Sequence, residues 1–540
     1  MRHPLRLGGS VAWRRLLVAV CMLAAVAVAA AGCGGGGSGA APKTPAGFAP
    51  STATLYLEAS ANADGPQWTQ VQALAQRFPG YPQLIADIES DLARHGIDFA
   101  RDVKPLLGDR AGLWLESFAD DAGMVAAAQL ADGKEGDATA LIQRAASEAG
   151  TPTPKQHGGV DYYQVDDMVV AVHDGVALMG DKESALIAAL DAHDAGGDRV
   201  ISENARYTKV ISQLPADALG TLYVDVGAAV GGVQNHTEQL GLRMFGLSAN
   251  SALGLAATAQ PTGVAIKAVG EGISLLKGAK PFSPKLLNHV PADALGYVGF
   301  TDLAALVQGV IAGVQSDPEL GPQLQGLTGQ LGSIQDELGV TLDDLRALAA
   351  GEVAVVVTGG PANATFPGIV AVLQQTDGAR AKRTLDTLRP TVRQLIAFVQ
   401  LGLSAGGGGA GSPVPEWRQV DLANGVSGWE LPLSPEAGIV YGVDGDLVYI
   451  GTKPSAIRAA QVPAAPLGAD AAFKAAAAKV PASDALFIWA NMQQILSFLD
   501  RLGVFRTDAE LLQNLRPVQS AIAGVSGGAT TTLDAFLTVR

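Results

Sequence analysis

Two segments carry the Gly-x-Ser-x-Gly spacing of a nucleophile elbow, Gly402-Leu403-Ser404-Ala405-Gly406 and Gly524-Val525-Ser526-Gly527-Gly528. Acyl transfer at such a serine needs a strand before it, a helix after it and a histidine base later in the chain. Ser404 follows a helical pattern and runs into glycines, and Ser526 lies between strand-like runs. The last histidine, His289, precedes both. Ser274-Leu275-Leu276-Lys277 has the Ser-x-x-Lys spacing of penicillin-binding enzymes, yet no Lys-Thr-Gly follows it, so it reads as a surface linker. Gly180-Asp181-Lys182-Glu183-Ser184 lacks the glycine spacing of a phosphate loop. No catalytic residue is assigned.

Metal and cofactor chemistry fares no better. Beyond the N-terminal region the histidines are His95, His157, His173, His193, His236 and His289, with no pair at helical zinc-ligand spacing. Asp191, His193, Asp194 and Asp198 gather on what reads as a Gly-rich turn, without the spacing of a calcium loop. A solvated turn is the expectation, with no metal and no cofactor.

One residue does have a chemical role written around it. Met1 to Gly32 holds Arg2, Arg6, Arg14 and Arg15 and no acid, and Leu16 to Ala31 is a 16-residue apolar run. A basic start, a short apolar stretch and small residues describe a secretory signal, too short for a comfortable membrane span. Ala30-Ala31-Gly32-Cys33 then resembles a bacterial lipobox, in which the cysteine becomes the acylated new N-terminus. Lipid attachment at Cys33 is therefore expected, with residues 1–32 removed. Residues 33–50, rich in Gly, Ser and Pro, are expected to be the lipidated cysteine and a flexible tether.

Composition fits that location. The 540 residues are 48% hydrophobic and 16% charged with only two Cys, which excludes a disulfide scaffold and disfavours disorder. Loss of residues 1–32 removes Cys21 and four Arg, leaving 33 basic against 52 acidic residues, a formal charge of -19. Nucleic acid is excluded as a partner because its phosphates require a basic face. Anionic lipid would repel such a surface, so acyl chains must provide membrane attachment.

The elements behind these residues repeat. Pro50-Ser51-Thr52, Pro215-Ala216-Asp217, Pro291-Ala292-Asp293 and Pro481-Ala482-Ser483 each open an apolar strand-like run. Gly96-Ile97-Asp98-Phe99 precedes Leu107-Gly108-Asp109, as Gly339-Val340-Thr341-Leu342 precedes Ala350-Gly351-Glu352. Asp98 and Thr341 are placed as helix N-caps, Thr341 with Asp344 as its box partner. Asp174-Gly175 and Asp444-Gly445 each sit between apolar runs as hairpin turns. After them Asp181 and Thr452 are expected to cap a helix. The polar positions shared by the halves are thus Asp174/Asp444, Lys182/Lys453, Ser184/Ser455 and Asp109/Glu352, all explicable by turns and caps.

The expected architecture is α+β: two tandem copies of one domain, 51–280 and 281–540, each a mainly antiparallel sheet with helices against it. Each copy should run strand, two helices, a short helix, a strand pair, a helix, three strands, helices, strand, helix and strand pair. GGGGAGSPVP from Gly406 is expected as a solvated loop. Residues 303–314 and 394–403 read as apolar helices, either core helices or the lining of a site for an apolar ligand. Tyr56, Trp114, Tyr223, Tyr297 and Trp489 fall on strands and are expected in the core.

GIDFARDVKPLLGDRAGLWLES, the Pro-Ala-Asp strand openers and the lipoprotein start together resemble the domain of unknown function 3352 family, envelope proteins of high-GC bacteria. The resemblance spans most of the mature chain and implies an extracytoplasmic, membrane-anchored location, without any established activity. The expectation is a non-enzymatic envelope lipoprotein on the outer face of the cytoplasmic membrane, a scaffold for an envelope protein or an apolar ligand. An envelope hydrolase using carboxylates and a purely structural spacer are the alternatives.

Overall fold

A computed structural model describes residues 43–540 except 63, 95, 119–121, 151–152, 233–246, 249, 274–279, 304–339, 362, 406–414, 482–484 and 529. Cys33, the signal segment, His95, His236 and residues 274–277, 304–314 and 406–414 lie outside the described residues. The chain divides into two compact units with the main boundary between Ile273 and Ser274, somewhat ahead of the expected 280/281.

Among its described residues, unit 1 holds ten strands: β1 Leu55–Ser60, β2 Leu107–Leu115, β3 Met124–Leu130, β4 Lys155–His157, β5 Val160–Val165, β6 Met168–His173, β7 Val176–Gly180, β8 Gly220–Asp225, β9 Ala252–Gln260 and β10 Gly263–Glu271. All pair antiparallel, in the order β4-β5-β6-β7-β3-β2-β1-β8-β9-β10. Unit 2 holds β11 Gly296–Thr301, β12 Glu352–Thr358, β13 Gly368–Gln374, β14 Arg418–Asp421, β15 Ser427–Pro432, β16 Gly438–Asp444, β17 Leu447–Gly451, β18 Leu486–Asn491, β19 Val518–Ser526 and β20 Thr530–Val539. Its order, again antiparallel, is β14-β15-β16-β17-β13-β12-β11-β18-β19-β20. Each order is the other's, strand for strand. Short turns join β4 to β7 and β9 to β10, whereas β7 reaches β3, and β8 reaches β1, only through long connections that carry helices.

Four strands, not three, precede the helix Glu183–Ala195, because Lys155–His157 is too short and polar to signal a strand. The hairpins stand where Asp-Gly placed them. Asp174 and Gly175 adopt φ of 45° and 77°, the left-handed pair that a two-residue turn between right-twisted strands demands. The expected aromatic core is present: Tyr56, Trp114, Tyr223, Tyr297 and Trp489 are all buried. Tyr56 faces Tyr223 across β1 and β8, and Tyr297 faces Trp489 across β11 and β18. The segment 394–403 is not buried throughout. It forms the end of the helix Gly378–Ala405, and Leu395 is 60% exposed.

The expected tether overreaches. Pro45–Gly47 is a 3-10 turn, Phe48 and Ala49 are fully buried, and Pro50 bridges Val200. The same construction recurs at Leu286–His289, where Pro291 bridges Pro466. Ile201 N donates to Ala49 O at 2.8 Å, as Leu467 N donates to Val290 O at 2.7 Å. Gly and Pro suggested a linker, but Phe48 is a large apolar group whose burial outweighs their flexibility.

The caps are mixed. Asp98 accepts from Arg101 N, and Thr341 makes the full box with Asp344. The hydrogen bond from Thr341 Oγ1, seconded by Arg380, lowers the Asp344 carboxyl to about 2. Its stabilising charge is present above the usual carboxylate pKa and is lost as pH falls from about 4 towards 2. Thr341→Ala should cost about 1 kcal/mol of local stability, read as faster amide exchange confined to Leu342–Ala349. Asp181 and Thr452, by contrast, do not cap. Asp181 Oδ1 accepts from Met124 N at 2.8 Å and Thr452 Oγ1 from Ile369 N at 3.0 Å, each securing the first residues of a neighbouring strand. The N-caps are Lys182 and Lys453, without side-chain capping bonds.

Candidate functional site

The residues that could do chemistry meet at one end of unit 1. His193 and Asp194 sit in the last turn of the helix Glu183–Ala195, which Gly196 ends with φ of 59°. The helix therefore continues through the segment read as a turn. His173 ends β6 and Asp174 opens the hairpin. The turn Pro45–Gly47 closes the third side.

His193 Nδ1 lies 2.9 Å from Gly47 O and Nε2 lies 3.3 Å from Asp174 Oδ2. His173 Nε2 lies 3.4 Å from Asp194 Oδ1. The buried His193 ring stacks on Phe48 with centroids 3.8 Å apart and planes at 4°, and the His173 ring stands edge-on to it at 5.5 Å. One ligand atom each from His173, Asp174 and His193 fall within 4.8 Å of one another. Lys43 Nζ donates to Asp174 Oδ1 at 3.0 Å. That bond holds the Asp174 carboxyl below its usual range. Beside the cluster a polar pocket of about 350 Å³ is lined by Thr139, Gln156, Asp161, Tyr163 and His173.

Sequence spacing named His193 and Asp194 but missed His173 and Asp174, which reach them only through sheet pairing. Asp191 instead pairs with His157 at 2.6 Å, and Asp198 lies in the next turn, Gly197–Arg199. An Asp-Gly hairpin immediately after a strand-ending histidine was the available signal.

The other candidates separate. Ser404 lies within the last turn of the helix Gly378–Ala405. Ser526 ends β19, its Oγ 2.6 Å from Thr532 Oγ1. Ser184 and Ser455 occupy first helical turns, and Lys453 Nζ donates to Phe366 O at 3.0 Å. The paired acids Asp109/Glu352 are displaced by one residue: Arg110 faces Ser60, and Glu352 faces the corresponding Thr301. Glu352 accepts from Lys285 N and Leu286 N, whereas Arg110 pairs with Glu58.

The histidine cluster is not part of the shared framework. Gly180 and Gly451 hold equivalent places beside β3 and β13, so His173 corresponds to Asp444 and Asp174 to Gly445. Asp444 is thus not the partner of Asp174. The unit 2 helix Pro454–Gln461 stops before the turn that carries His193 and Asp194 in unit 1. Asp444 Oδ2 there accepts from Asn424 Nδ2 at 3.0 Å and Gln461 Nε2 at 3.4 Å.

No curated protein matches the chain. Crystal forms I and IV of TP0453 are similar at 11% and 13% identity, covering 43% and 42% of this chain and 79% and 80% of theirs, with a TM-score of 0.25 for each. The segment GIDFARDVKPLLGDRAGLWLES forms the Asp98-capped turn and β2. The model of the family described as a protein of unknown function (DUF3352) matches residues 16–539, and the chain belongs to that family.

Proposed function

We propose that this protein is a non-enzymatic lipoprotein of the cell envelope that serves as a docking scaffold, for an envelope protein or an apolar ligand, on the outer face of the cytoplasmic membrane. The observation that carries the reading is the run of basic start, 16-residue apolar stretch and Ala30-Ala31-Gly32-Cys33. The described structure begins at Lys43, so the span from an acylated Cys33 reaches at most about 35 Å. That is short enough to keep unit 1 beside the bilayer. The strand order shared by the two units supports the scaffold reading.

A carboxylate hydrolase is less well supported. A general acid needs a carboxyl raised towards neutral pH. The carboxylates of Asp102, Asp174, Glu183, Asp344 and Asp386 all shift the other way.

Cys33→Ala tests the reading. Metabolic labelling with a fatty acid should mark the unaltered protein and not the variant, and the variant should leave the membrane fraction. Undiminished acylation and retention would overturn the anchor. Capture by crosslinking of the intact anchored protein should yield a discrete envelope partner or a co-purifying apolar molecule. Turnover of an envelope glycan or ester by the purified protein would instead favour the hydrolase.

A further inference from the structure

We propose that His173, Asp174 and His193 form a binding site for one divalent transition-metal ion, zinc being the best match to the ligand set. The argument begins with the His193 ring. Gly47 O can only accept, so the Nδ1 that faces it at 2.9 Å carries the ring N–H. In the neutral ring this leaves a lone pair on Nε2, directed at Asp174 Oδ2, which also only accepts, 3.3 Å away. Together with one ligand atom of His173, these two atoms lie within 4.8 Å of one another, close enough for one ion to reach all three.

The separation suits a metal. Ligands about 2.0 Å from a tetrahedral zinc stand roughly 3.3 Å apart. His173 supplies a second imidazole, which gives three protein ligands and leaves the fourth tetrahedral position to water, as in open zinc sites. A ligating histidine commonly donates its other N–H to a backbone carbonyl, which fixes tautomer and ring orientation. Gly47 O does this for His193, and the stacked Phe48 ring shields the imidazole from water. Lys43 on Asp174 Oδ1 leaves Oδ2 directed at His193.

The fold does not require these residues. The equivalent hairpin in unit 2 has Asp444 and Gly445, and its helix ends too early to supply the third. A bound ion would join the hairpin and the helix end, through Gly47, to the segment 43–48. Metal loading would thus stiffen the place where the N-terminal segment meets unit 1.

The test uses full-length protein in detergent, stripped with a chelator and dialysed against zinc chloride alone. About one zinc per chain should bind. Affinity should fall roughly tenfold or more in His173→Ala and in Asp174→Asn, and remain unchanged in His289→Asn in unit 2. Zinc should also slow amide exchange in residues 43–50 of the unaltered protein, and not in His173→Ala. His173 is partly exposed and contributes little to the core, so its variant should fold even where His193→Gln does not. Absence of stoichiometric zinc, or equal binding by His173→Ala, overturns the proposal. Neither result bears on acylation at Cys33.

Discussion

Replacing Phe48 by alanine is expected to destabilise unit 1 by about 3–5 kcal/mol, the usual cost of emptying a buried aromatic position. Phe48 is fully buried in a core that includes Tyr56, Leu178, Leu186 and Ile201, and its face covers the His193 ring. Its removal opens a cavity and also frees Pro45–Gly47, whose Pro45 ring lies against Gly112 of β2. Hydrogen exchange should therefore accelerate across β7 and the helix Glu183–Ala195, with unit 2 peptides unchanged. Deletion of residues 34–42 should leave both units as stable as before. If the deletion were as harmful as Phe48→Ala, or the substitution were silent, the lead-in segment would not be part of the core.

Glu352→Ala should be comparably damaging to unit 2, by about 2–4 kcal/mol. The buried carboxylate accepts from Lys285 N through both oxygens at 2.9 and 3.0 Å and from Leu286 N at 2.9 Å. Alanine leaves those N–H groups without partners next to the core, and an unsatisfied buried donor costs more than the bond itself contributed. Glu352→Gln keeps one acceptor oxygen and should lose clearly less. Denaturant unfolding combined with exchange at Leu286–His289 measures both. Equal losses in the two variants would show that volume rather than acceptance matters at this position.

What the chain made legible follows from interaction range. Asp98, Thr341 and the two Asp-Gly turns act on backbone within four residues, so their spacing alone announced them. The Pro-led runs likewise mark β1 and β8 in unit 1 and β11 and β18 in unit 2, each pair side by side in the interior of its strand order. Asp181 and Thr452 misled because the same side chain can serve a helix start or a neighbouring strand, and Met124 and Ile369 are distant in sequence. Asp109 was matched with Glu352, and Asp174 with Asp444, by local similarity, whereas cross-strand register displaces each pair by one residue. The histidine cluster required β6, a helix end and the lead-in turn to converge, and no local pattern encodes such a meeting. Residues 45–50 were misjudged because composition counted Gly and Pro while a single phenylalanine decided the outcome.

The interior position of β1, between β2 and β8, has a consequence for biosynthesis. Its two neighbours are β2, which follows closely, and β8, which begins only at Gly220. One edge of the first strand thus stays uncovered while about 160 further residues are made, roughly 8–30 s at ordinary elongation rates. An uncovered strand edge invites pairing with other chains, and unit 2 repeats the interval between β11 and β18. Chaperone demand should therefore peak twice per molecule, each time just before the strand that covers this edge emerges.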